Sequence, residues 1–194
     1  MKKLNFGCGN EIMKGYVNMD ILKLSGVNLV HNFNKFPYPF KDNEFDEVYT
    51  SHVLEHLDDL TKVMTELKRI CKPGARIKIR VPHFSCGVSY RDPTHKRLFS
   101  YFTFDYFTDE CFYDLPKFKI IKRKLNFTRL SFTFLNYFLN PIINLNQALY
   151  ERFGCWILPC AEIIVELEVV KWKQIKDFHS FVFQINWEGK PNEA

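Results

Sequence analysis

Two glycines flank a cysteine in Gly7-Cys8-Gly9-Asn10, directly after the short strand candidate Lys3-Leu4-Asn5-Phe6. Glycines let such a loop turn tightly and let a ligand approach bare backbone. Polar residues also close the next three apolar runs: Asp20 after Tyr16-Val17-Asn18-Met19, His31-Asn32 after Val27-Asn28-Leu29-Val30, and Ser51-His52 after Phe45-Asp46-Glu47-Val48-Tyr49-Thr50. If these runs are strands of an open α/β sheet, all four ends lie on the rim where such sheets bind ligands. Together they offer what a nucleoside needs, namely backbone donors, a carboxylate for two ribose hydroxyls and an amide for an adenine edge. Taken alone, the glycine pair is equally an ordinary strand-to-loop turn. There is no GxGxxG, the step from Gly9 to Asp20 is short for a dinucleotide fingerprint, and no Lys-Ser/Thr pair of an ATP loop follows.

Proton transfer near neutral pH calls for histidine. His52, His83 in Val81-Pro82-His83-Phe84 and His95 in Asp92-Pro93-Thr94-His95 are the candidates, with Asp92 as an orienting carboxylate. For His83 and His95 a structural hydrogen-bonding role stands level with the catalytic one. His56 and Glu55 read as cap or packing residues at a helix start. The six cysteines show neither a CxxC pair nor Cys/His zinc spacing, so no metal site is expected, and free thiols in a reducing compartment are.

The elements that must position these groups follow from periodicity. Leu60, Val63, Met64, Leu67, Ile70 and Cys71 share one helical face, and Pro73-Gly74 is the expected stop before a fifth strand through Ile77, Ile79 and Val81. Lys78 and Arg80 alternate with those apolar residues, which leaves one sheet face incompletely covered. Strand, helix, strand is the pattern of a right-handed parallel crossover. Further on, Phe99 to Phe112 reads as an aromatic-rich helix, Phe118 to Phe127 as a basic strand, Phe134 to Arg152 as a helix interrupted by Pro141, and Ile163 to Val170 as a late strand.

Four segments in this order, Leu4 to Asn10, Gly15 to Asp20, Phe45 to Tyr49 with Ser51 to Leu57, and Leu67 to Ala75, resemble the successive motifs of class I S-adenosylmethionine-dependent methyltransferases of the broad type 11 kind. Asp92-Pro93-Thr94-His95 resembles a mark of a small-substrate subgroup. The resemblance implies an α/β, Rossmann-like, seven-stranded and mostly parallel sheet of order 3-2-1-4-5-7-6, with helices on both faces and strand seven antiparallel. The helix before strand one is read as missing or shortened, and little room is left for one between Gly9 and Asp20. It further implies S-adenosylmethionine as cofactor, with Gly7, Cys8 and Gly9 at its methionine part, Asp20 at the ribose, Asn32 and Phe33 at adenine, Ser51 and His52 closing the site, and Asn10 and Ile21 also among the cofactor-binding residues.

Composition narrows the remainder. The chain has 194 residues, enough for one domain with a sizeable core. It is read as a single domain over 1–188, with a cofactor half of about 1–83, a substrate half of about 84–188 and a disordered tail at 189–194. A net charge of +5 spread along the chain permits an anionic substrate without demanding nucleic acid. The lysines at 117, 119, 122 and 124 with Arg123 are read as edge-strand protection. No run of ~20 apolar residues spans a bilayer, and no signal-peptide pattern is read at the start. Phe132 to Leu149 is taken as a lid or core element, with peripheral membrane contact as the lesser reading. The expectation is a cytoplasmic monomer or homodimer that O-methylates a small molecule or glycan, with histidine-assisted deprotonation. Its rivals are an RNA or protein methyltransferase and a non-catalytic scaffold of the same fold.

Overall fold

The computed structural model describes residues 1–171; the expected tail at 189–194 and the end of the expected domain lie outside them. Seven strands, β1 (Lys3–Phe6), β2 (Val17–Asp20), β3 (Leu29–Val30), β4 (Phe45–Ser51), β5 (Cys71–Pro82), β6 (Phe118–Asn126) and β7 (Glu162–Val169), form one sheet in the order β3-β2-β1-β4-β5-β7-β6. The first five run parallel, and β7 is antiparallel to both of its neighbours. This is the order the sequence implied. The central strand β1 is buried through Leu4, Asn5 and Phe6. An aromatic cluster fills the space beside it: Phe6 lies 4.3 Å from Phe33 and 5.5 Å from Tyr38 between ring centroids.

Helix α1 (Leu60–Ile70) forms for local reasons and docks for apolar ones. The Asp59 carboxylate caps it by accepting the Lys62 N–H at 3.0 Å, and Val63, Met64, Leu67 and Ile70 are its buried stripe. Arg69 in its last turn donates to Glu66 and Asp42 and to the carbonyls of Tyr38 and Phe40, which pins the proline turn that follows β3. The helix ends at Ile70, before the expected stop: buried Cys71 is already extended and pairs with Phe45. Pro73-Gly74 instead sits in a bulge at the start of β5, between the Phe45–Cys71 and Glu47–Arg76 pairs, where Gly74 takes φ +77°.

The side of the sheet bearing Asn5 and Asn18 is polar. Lys78 bonds Glu47 at 3.0 Å, Arg80 bonds Glu162, and Arg76 meets Glu168 at 3.0 Å. The alternating cations of β5 are thus answered by carboxylates on β4 and β7, and that is how this half-exposed face is satisfied. No helix forms between Gly9 and Asp20.

Two expectations for the second half are corrected. Phe99 to Phe112 is not a helix; it holds a single 3-10 turn at Thr103–Phe107, and Phe99, Phe104 and Phe107 are buried one by one as anchors of an irregular segment. Aromatic and threonine side chains lose rotamer freedom in helices, so their spacing here serves packing alone. The Phe134 to Arg152 region does contain helices, α3 (Leu135–Ile143) and α4 (Gln147–Arg152), following the one-turn α2 (Val88–Arg91), but Pro141 lies inside α3 and the break comes at Asn144-Leu145-Asn146.

Nor is α3 a core element. Asn136, Asn140 and Asn144, four residues apart, turn their amides to the edge of β6 and the loop after it. They accept the N–H groups of Thr128, Phe127 and Leu125 at 2.8–3.0 Å, while Asn136 and Asn144 donate back to the Thr128 and Leu125 carbonyls. The helix therefore covers a sheet edge with its polar face. Its aromatic residues are left outside, with Tyr137 80% and Phe138 62% exposed. No helix of the described residues is long and apolar enough to cross a membrane.

Candidate functional site

The glycine loop is folded back onto β2. Gly7 and Cys8 both donate to the Met19 carbonyl, at 2.9 and 3.0 Å. Gly7 has φ +76°, and a Cβ there would stand 2.2 Å from a Val53 methyl, so no other residue fits. Gly9, at φ +49°, has no atom within 4 Å of the place where a Cβ would be, and its N–H donates to Asp20 Oδ2 at 2.7 Å. Asp20 Oδ1 accepts the Leu22 N–H at 3.0 Å. Each carboxylate oxygen keeps a lone pair for a further donor.

Where the fold would place a helix, two buried amides hold the chain. Asn5 Nδ2 donates to the Glu11 carbonyl at 2.7 Å and to Asn18 Oδ1 at 2.9 Å; Asn18 Oδ1 also accepts the Met13 N–H. The sequence reading missed both residues. A signal was available, since asparagine in the middle of a central strand is costly unless its amide is satisfied. On the far side, Asn32 Oδ1 accepts the Asn34 N–H, shaping the turn that sets Phe33 against Phe6.

All ten residues proposed for the cofactor, Gly7, Cys8, Gly9, Asn10, Asp20, Ile21, Asn32, Phe33, Ser51 and His52, line one cavity of about 500 Å³, together with Asn5, Glu11, Tyr49 and His56 among others. Burial, and secondarily the charge of Asp20, pushes the Cys8 thiol up.

His52 is the hinge between this cavity and a second one of about 350 Å³, lined also by Pro82, Cys86, Arg91, Arg129 and Glu162. It follows directly on β4 at φ +56°, a left-handed conformation uncommon for a residue other than glycine. Its Nε2 lies 3.2 Å from Glu162 Oε2 and its Nδ1 3.3 Å from Glu55 Oε1. Burial works against the imidazolium, but the hydrogen bond to Glu162 and the Glu55 carboxylate 3.3 Å away outweigh it and raise the His52 pKa. Glu162 is fully buried; although burial favours its neutral form, bonds from His52, Arg80 and Asn126 hold its carboxyl down at about 2. The sequence reading missed Glu162, because only the strand register brings it beside His52.

Of the residues expected to handle protons, His52 lines both cavities, while His83, Asp92 and His95 line neither. His83 is completely buried, with Nε2 3.0 Å from Glu151 and Nδ1 2.8 Å from Ser85 Oγ. His95 Nδ1 donates to the Ser89 carbonyl at 3.1 Å, and its ring packs edge-on against His56 at 4.6 Å. Asp92 accepts from the Thr94 backbone and hydroxyl, and those bonds lower its pKa. His95 Nε2 is 3.9 Å from Asp92, so these two are near neighbours while His83 stands alone.

The sheet order and the glycine and aspartate rim define the class: this is the fold of the class I S-adenosylmethionine-dependent methyltransferases. Residues 8–79 match the family model described as a methyltransferase domain. Over 68 residues the chain is 32% identical to demethylmenaquinone methyltransferase of Bacillus mycoides (strain KBAB4) and 34% identical to that of Bacillus cereus (strain B4264). Each match spans 35% of this chain and 28% of the relative. A SAM dependent methyltransferase from Archaeoglobus fulgidus superposes with a TM-score of 0.60 at 19% identity, over 86% of this chain and 85% of that one. The [4+2]-cyclase SpnF does so with a TM-score of 0.53 at 14% identity, over 88% and 75%. The last likeness shows that the fold alone does not define a reaction.

Proposed function

We infer that the protein transfers a methyl group from S-adenosylmethionine to an oxygen of a small anionic acceptor. The observation that carries the cofactor half is the convergence of four strand ends on one cavity that holds both the bare Gly9 backbone and the Asp20 carboxylate. The donor set suits the nucleoside: Asp20 takes the ribose hydroxyls, Asn32 and Phe33 flank the adenine, and the glycine loop lies along the methionine part. When bound, the cofactor supplies a sulfonium methyl, and the protein's part is alignment and exclusion of water.

The acceptor is assigned to the second cavity, across His52. Arg91 and Arg129 line it, and among the described residues the ion pair of Arg129 is an exposed one with Glu11 at 3.2 Å, which a bound anion replaces at little cost. Both nitrogens of His52 face carboxylates, so its imidazole is not free to act as a base here; an acceptor that arrives as an anion needs none. The neighbouring apolar surface, from Leu130 through Phe132 and Phe134, suits an acceptor with an apolar part, and the quinone-derived name of the Bacillus relatives agrees with a small molecule.

Calorimetric titration with S-adenosylmethionine and S-adenosylhomocysteine tests this first. Binding of both, followed by label transfer to carboxylate or acidic hydroxyl acceptors and weaker transfer after Arg91→Ala, is the expected result. Failure to bind either compound would remove the enzymatic reading and leave a scaffold of the same fold.

A further inference from the structure

One ligand atom from each of Glu55, His56 and His95 lies within 4.8 Å of the others, and this is the one such group of three among the described residues. The pattern is invisible in the sequence, because thirty-nine positions separate the two histidines. It forms where the turn after β4 meets the segment following α2, with the Lys96 N–H donating to the Glu55 carbonyl at 2.8 Å.

The hydrogen bonds around the two rings set their tautomers. His95 Nδ1 faces the Ser89 carbonyl, which can only accept, so Nδ1 carries the hydrogen and Nε2 keeps its lone pair. Thr94 Oγ1 donates to Asp92 Oδ1 at 2.7 Å, so toward His56 Nδ1, 2.8 Å away, it accepts. His56 Nε2 is then the second free lone pair. A histidine donating its far nitrogen to a carbonyl or a hydroxyl–carboxylate relay is how proteins orient imidazoles for a metal.

A second observation comes from Glu55. Its side chain is completely buried and neither carboxylate oxygen has a hydrogen-bond partner. Its charged neighbour is His52, at 3.3 Å. His52 stands beside one oxygen of this buried carboxylate and leaves the other, among the described residues, with neither donor nor cation, which is costly. Two imidazole lone pairs and an unbonded buried carboxylate are a donor set for a divalent transition ion, zinc by preference. Ligand atoms that already stand within 4.8 Å of one another are within reach of a common ion at metal–ligand distances near about 2 Å.

We propose that Glu55, His56 and His95 form a zinc-type metal site, with Asp92 as the outer carboxylate, that clamps the 92–96 segment of the acceptor half to the turn after β4 at the border of the cofactor cavity. The role is structural, and it does not depend on what the protein methylates.

The test uses the whole chain, stripped with a chelator and titrated with Zn²⁺ and, separately, Co²⁺. The expected result is one equivalent per chain and a Co²⁺ visible spectrum without sulfur-to-metal charge transfer, which separates this site from the six cysteines. His56→Ala and His95→Ala should each weaken binding by at least about tenfold. Zinc should raise the Tm of the unaltered protein and not that of His56→Ala, a readout that stands if His95→Ala does not fold. Absence of stoichiometric binding, thiolate bands, or equal affinity in the unaltered protein and His56→Ala would overturn the proposal.

Discussion

Asp20 does its work with both carboxylate oxygens, fastening the glycine loop through Gly9 and the start of the next loop through Leu22 while retaining lone pairs toward the cavity. Asp20→Ala removes the loop fastening together with the proposed ribose acceptors, and a loss on the order of 1–3 kcal/mol in S-adenosylhomocysteine affinity is expected by calorimetry. Unchanged affinity would mean that the ribose is held elsewhere. Glu162 gives a pH prediction. Its folded pKa of about 2 lies below the ordinary 4.5, so its stabilising contribution is complete above about pH 4.5 and is lost as the pH falls toward about 2. The drop is on the order of 3 kcal/mol. Urea midpoints measured down that range should fall in the unaltered protein and flatten in Glu162→Gln, which starts lower because Arg80 loses its buried partner. A parallel decline in both proteins would reject the assignment. Asp20 was legible in the sequence because a lone acid closing an apolar run has few other meanings. Glu162 was not, since its significance lies in being placed by register next to residues 80 and 52.

Among the elements, the strands were readable, and so was the helical character of Phe134 to Arg152, but not where that region breaks or which face of α3 packs. Strand ends are announced locally by glycine, proline and polar residues, whereas α3 inverts the usual rule by turning asparagines inward and aromatics outward. Periodicity alone reports a buried apolar face there; only the unpaired edge of β6 explains why amides face the sheet. The ladder is directly testable. Asn140→Ala leaves the Phe127 N–H without its acceptor and the Asn126 side chain without a donor, and a destabilisation of about 1–2 kcal/mol is expected in denaturant unfolding. Tyr137→Ser, on the exposed face of the same helix, should change stability by less than about 0.5 kcal/mol. If the two substitutions exchanged effects, the helix would be packed the other way round. The missing helix before Asp20 was anticipated from spacing, but its replacement by the Asn5–Asn18 pair depends on the β1–β2 register that sets those residues side by side.

At the scale of the whole molecule, charge is organised across the polar side of the sheet. Lys119 and Lys122 on the edge strand β6 stand opposite Glu168 and Glu166 on β7, which stand opposite Arg76 and Lys78 on β5. Arg123 is bonded to Asp105 at 2.6 Å and stacks 4.1 Å from the Tyr101 ring. In the sequence the basic run is a charge cluster; in the sheet, two of its lysines stand across from glutamates and its arginine is bonded to Asp105, which dilutes its positive field. This bears on the rival reading as a nucleic-acid methyltransferase. A protein that neutralises six or more phosphates loses roughly three or more decades of affinity between 50 and 200 mM salt. Filter binding of single- and double-stranded RNA across that range should show weak retention with a shallow slope, and replacing Lys119 and Lys122 by Gln should leave it unchanged. A steep slope that those replacements reduce would mean that the strand exchanges its glutamates for phosphates. The acceptor would then be sought along the β6 edge, and the cavity lined by Arg91 and Arg129 would lose its assignment.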